Sequence, residues 1–152
     1  MGGAEFVITL PAFELTAEIQ VPRPGVRTIL LVDDDIAVHR MISALFAAEG
    51  YQVDTARTGQ QGFKLTSDRE YDLIIAESRS VVEPGLLFVR ALLSMQPAYK
   101  DRLIIATDIT PLPTREGIPT LTKPFNLREL KSIASGILDR VSIPQRSRAS
   151  TG

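Results

Sequence analysis

The chain has 152 residues, 44% of them apolar and 23% charged, with a formal net charge of −1 and no cysteine. That length suits one domain with a sizeable core rather than two large ones. The charge balance offers no basic field for nucleic acid, and the lack of cysteine excludes disulfides, thiolate metal sites and thiol catalysis. No apolar run approaches the roughly 20 residues that span a bilayer, so a soluble, cytoplasmic domain without membrane contact is expected.

In chain order, Ala4 to Leu10 reads as an isolated strand ending at Pro11. Pro11 to Gly25, with Pro22-Arg-Pro-Gly25, has the composition of a linker, so the domain proper is placed at 27–139, after a leader (1–11) and a linker (12–26). Thr28 to Asp33 is a continuous apolar run ending in acids, as in a strand buried on both faces. Ile36 to Ala48 carries Ile36, Val38, Met41, Ile42, Leu45 and Phe46 at helical spacing, with Gly50 placed to end the helix. Gln52 to Thr55 predicts a short strand, and Gly59 to Thr66 a helix with Phe63 and Leu65 inward. Asp72 to Glu77 repeats the pattern of the first buried strand. Gly85 to Met95 predicts a helix, Leu103 to Thr107 a strand and Ile118 to Leu121 a short one. Asn126 caps a last helix through Leu138, and residues 140–152 read as a flexible tail.

Strands alternating with helices imply right-handed crossovers and a doubly wound α/β fold, its parallel sheet covered on both faces. Ligands of such sheets bind beyond the carboxyl ends of the strands. The strand ends here bring Asp33, Asp34, Asp35, Glu77, Thr107 and Lys123 to one rim. Carboxylates about 4 Å apart repel by about 4 kcal/mol at an effective dielectric near 20, so Asp33, Asp34 and Glu77 together call for a cation. An all-oxygen donor set suits Mg2+ or Ca2+.

Ile29-Leu-Leu-Val-Asp-Asp-Asp35, Tyr71-Asp-Leu-Ile-Ile-Ala-Glu77, Gly85, Ile104-Ile-Ala-Thr107 and Thr122-Lys-Pro-Phe125 together resemble the receiver domains of two-component response regulators. The resemblance covers about residues 27 to 139. It implies a flavodoxin-like (βα)5 fold with parallel strand order 2-1-3-4-5, and a histidine kinase or a downstream signalling protein as partner. By the same resemblance Asp33 and Asp34 match the Mg2+-holding acids, Thr107 the phosphate-sensing hydroxyl and Lys123 its lysine partner, while Asp35 matches a position that is often acidic. Glu77 falls on the aspartate that accepts phosphate.

The departures from the family pattern shape the functional expectation. Glu77 is one methylene longer than aspartate, and a misplacement of about 1 Å can cost about a hundredfold in transfer rate. Efficient phosphate acceptance at Glu77 is therefore not expected, and Mg2+ binding should be weak or absent. Two consequences stay open: Glu77 imitates the phosphorylated state, or it pairs with Lys123 and silences the domain. Val81 stands where the family usually has proline, Glu83 adds an acid in the same loop, and Thr120 stands where a switching aromatic is usual. Only ten residues, Asp108 to Gly117, separate the last two strands, and Pro111 and Pro113 oppose a helix among them. The fourth helix should be missing or reduced to a turn. His39 and Arg40 read as surface residues and Phe125 as core packing under the last helix.

Two further resemblances complete the reading. Gly2-Gly-Ala-Glu-Phe-Val-Ile-Thr-Leu-Pro11 resembles the closing strand of a histidine-kinase ATP-binding domain, which implies the receiver of a hybrid histidine kinase. Asp33-x-Asp35 is similar to the start of haloacid-dehalogenase phosphohydrolases, but Ala37 stands where they have threonine. A non-enzymatic regulatory module is the expectation, with a phosphorylation-competent receiver as its alternative.

Overall fold

The computed structural model of the chain describes residues 5–8, 17–21, 23–78, 84–107 and 117–141. In chain order these form β1 (Glu5–Ile8), β2 (Ala17–Gln20), β3 (Thr28–Val32), α1 (Ile36–Ala47), β4 (Gln52–Ala56), α2 (Gly59–Asp68) and β5 (Leu73–Ser78). There follow α3 (Pro84–Met95), a 3-10 helix (Pro97–Arg102), β6 (Leu103–Thr107), β7 (Thr120–Thr122) and α4 (Leu127–Arg140).

The strands make one sheet in the order β1-β2-β4-β3-β5-β6-β7. From β4 to β7 all pairs are parallel, which is the expected five-stranded 2-1-3-4-5 arrangement. The strand period of two divides the apolar runs between the faces. Leu30, Val32, Ile74, Ala76 and Ile105 share one core with Leu65, Phe88, Val89 and Leu92 of α2 and α3. Ile29, Leu31, Leu73, Ile75 and Ile104 share the other with Ile42 and Phe46 of α1 and Leu130, Ala134, Ile137 and Leu138 of α4. Such runs are apolar throughout because both faces are buried.

The N-terminal part differs from expectation. Glu5–Ile8 is not isolated: it pairs antiparallel with β2, from Glu5 with Gln20 to Ile8 with Ala17. Residues 17–20, read as linker, form that strand and pair antiparallel with β4. Two contacts explain the attachment. Ile19 is buried in the α2–α3 core. Beyond it, the Gln52 side chain donates to Val21 O at 2.9 Å and accepts from Arg23 N at 3.0 Å.

At mid-strand, opposite Leu30 of β3, β4 carries the buried Asp54. The Tyr71 hydroxyl donates to its Oδ2 at 2.7 Å and Arg69 Nη1 does so at 3.3 Å. Tyr71 N in turn donates to the Tyr99 hydroxyl at 2.9 Å. Burial, and then the Asp54 charge, push the Tyr71 phenol far above its usual range, and burial also raises Tyr99. The expected loss of the fourth helix falls on 108–116, outside the described residues, as do Val81 and Glu83. Among the described residues no helix is long and apolar enough to cross a membrane.

Candidate functional site

Strand order changes direction at β3: the chain leaves it for β4 on one side and later for β5 on the other. The crevice at the carboxyl ends of β3 and β5 is therefore the expected ligand position. Asp33 follows β3 directly and is 2% exposed. Its N–H donates to Ala56 O at 3.0 Å, extending the β3–β4 ladder. Its Oδ1 accepts from Asp35 N at 2.9 Å, which shapes the turn into α1. Asp35 is spent on the helix, its Oδ1 accepting from Ala37 N at 2.9 Å as an N-cap.

Asp33, Asp34 and Glu77 form one carboxylate group, with an oxygen of each within 4.8 Å of the others. Lys123 enters from the β7–α4 loop. Its Nζ donates to Asp33 Oδ2 at 2.8 Å and lies 3.8 Å from Glu77 Oε2. The loop is anchored because Lys123 N donates to Thr107 O at 2.8 Å, so β6 sets the height of the lysine. Thr107 is fully buried at the end of β6 and pairs with Ser78, the residue after Glu77. Phe125 packs against the α1–α4 core, and the Lys123 ammonium lies 5.7 Å from its ring.

Asp33, Asp34, Glu77 and Lys123 thus lie together at the strand ends, and Thr107 adjoins them through its backbone, its carbonyl accepting from Lys123 N. Thr120 lies further back, opposite Ile105 at the start of β7, its Oγ1 donating to Ile118 O at 3.4 Å. His39 departs from expectation: it is 7% exposed, and its Nε2–H donates to the Asp33 carbonyl. The signal was present in the spacing, since His39, Ile42 and Phe46 fall at i, i+3 and i+7 on one stripe of α1. Arg40, on the other side, is exposed as expected.

The donor set fits a hard divalent cation: three carboxylates, two of them on adjacent residues, around one point. Each Asp33 oxygen already accepts one hydrogen bond and keeps a further lone pair.

A doubly wound parallel sheet with an acid cluster and a lysine at its switch point defines a class of phosphate- or cation-responsive α/β domain. The chain belongs to the response regulator receiver domain family, whose model matches residues 29–135. Membership makes it a signalling domain rather than an enzyme.

Among relatives, the DNA-binding transcriptional regulator NtrC of Azospirillum brasilense is 29% identical over 129 residues, covering 82% of this chain and 27% of that protein. The chain spans between 18% and 48% of the length of such curated relatives, so DNA binding is said of the whole relative. Among solved structures, the response regulator TrrA of Thermotoga maritima, in complex with Mg2+ and BeF, is 25% identical with a TM-score of 0.63, covering 73% of this chain and 98% of that one. The receiver domain of a sensor histidine kinase of Pseudomonas aeruginosa, with magnesium in its active-site cleft, is 26% identical with a TM-score of 0.65, covering 75% and 98%.

Proposed function

We propose that the chain is a regulatory and interaction module of two-component signalling in which Glu77 replaces the phosphate-accepting aspartate and does not take up phosphate. The observation that carries this reading is the position of Glu77. Its carboxylate belongs to the group formed with Asp33 and Asp34 and faces Lys123 at 3.8 Å, which supports the reading that the longer side chain takes up space a phosphoryl group would need. A carboxylate carries one negative charge against nearly two for phosphate. Lys123 is also committed to Asp33 at 2.8 Å. Both facts favour a silent domain over full imitation of the phosphorylated state.

Asp33, Asp34 and Glu77 would hold Mg2+, which would neutralise their mutual repulsion. Binding is weak in this reading, because Lys123 already supplies positive charge and Mg2+ tolerates a displaced ligand poorly. Thr120, in place of an aromatic, leaves the usual threonine–aromatic relay without its second member. The partner is a histidine kinase domain or a downstream protein, in the cytoplasm. The likeness of Gly2–Pro11 to a kinase closing strand supports placement within a hybrid histidine kinase. Incubation with a small acyl phosphate and Mg2+, followed by intact mass, tests the reading. A stable phosphoryl adduct would favour the phosphorylation-competent alternative.

A further inference from the structure

We propose that His39 is a positioning residue for the acidic site, fixing the main chain at Asp33 and so the aim of both aspartates. The proposal rests on the reading of Asp33 and Asp34 as the cation- and lysine-binding acids. Asp33 is held from four directions. Its N–H is bound to β4 through Ala56 O, its Oδ1 to the turn through Asp35 N, and its Oδ2 to the β7–α4 loop through Lys123 Nζ. The fourth contact, His39 Nε2–H to the Asp33 carbonyl, comes from inside α1.

That contact differs from the others in what it fixes. The Asp33 carbonyl and the Asp34 N–H share one planar peptide unit, so a donor on the carbonyl sets the rotation of the plane that launches Asp34. A buried carbonyl past the end of a strand also needs a donor, and a buried imidazole on an apolar stripe needs an acceptor. Each meets the other's need. Helix α1 is thereby registered against β3 through polar contacts at its start, Asp35 as cap and His39 one turn on.

Three variants separate positioning from packing. His39→Leu keeps bulk and removes the donor, His39→Gln can present an amide N–H near the former Nε2, and His39→Asn is too short to reach. Amide hydrogen exchange at Asp35, whose N–H bonds to Asp33 Oδ1, reads the geometry without any metal. Mg2+ titration followed by amide shifts reads its consequence. The Leu and Asn variants should exchange faster at Asp35 while Ile29–Leu31 keep native protection, and their Mg2+ affinity should fall about tenfold. The Gln variant should restore both. Native exchange at Asp35 in His39→Leu, or a Gln variant as impaired as Leu, would overturn the proposal. If His39→Leu does not fold, the Gln and Asn pair decides. If the native chain binds no Mg2+, the reading of the acids as a cation site fails, and the exchange comparison still decides the role of His39.

Discussion

Lys123 serves two carboxylates unequally: its ammonium lies 2.8 Å from Asp33 Oδ2 and 3.8 Å from Glu77 Oε2. The Asp33 side chain is 1% exposed and that of Glu77 12%, so the closer partner is also the one that water screens less. Lys123→Met leaves Asp33 beside two other acids without its counter-charge. The Lys123 side chain is itself 20% exposed, so the loss should be about 2 kcal/mol, below the range for a fully buried pair. Urea unfolding measures it, and added Mg2+ should recover part of the loss. An unchanged midpoint would show that the pair contributes nothing to stability.

At Gly62, α2 passes close to Val32 of β3 and Phe88 of α3. A Cβ there would stand 2.8 Å from Val32 Cγ2 and 3.3 Å from Phe88 Cε1. Both neighbours are buried core side chains with little room to move. Overpacking costs about 1–3 kcal/mol against a helix-propensity gain of about 1 kcal/mol. Gly62→Ala should therefore lower the thermal midpoint. A raised midpoint would mean that the core yields more easily than this packing implies.

Tyr71 links pH to stability. Its folded pKa is raised by burial and by Asp54, above an unfolded value of about 10. The folded state then holds the proton that the unfolded state releases, so this contribution is complete below pH of about 10 and declines as pH rises beyond it. Tyr71→Phe should flatten the alkaline decline. At neutral pH it should cost about 1–3 kcal/mol, because buried Asp54 loses a donor. Denaturant midpoints measured from neutral to alkaline pH provide the check.

Much of the site was legible because parallel strands buried on both faces are apolar throughout and end abruptly in polar residues. Thr28–Val32 and Leu73–Ser78 could hardly be other elements, and their ends deliver Asp33 and Glu77 to one crevice. Ala17–Gln20 was missed although it alternates apolar and polar residues as a half-buried strand does, because Pro22, Pro24 and Gly25 give the stretch the composition of a linker; Ile19 supplies the core contact, and Gln52 secures the residues that follow the strand. His39 was misread because a lone polar residue on a helix is ordinarily solvated. Only the carbonyl left over past β3 explains its burial, and that carbonyl is a product of the tertiary fold.

The central claim concerns the reach of residue 77, and intact mass with peptide mapping tests it most directly. The native chain and Glu77→Asp would each be incubated with a small acyl phosphate and Mg2+. The aspartate variant should gain one phosphoryl group at position 77 and the native chain none. A phosphoryl group mapped to Glu77 of the native chain would contradict the account.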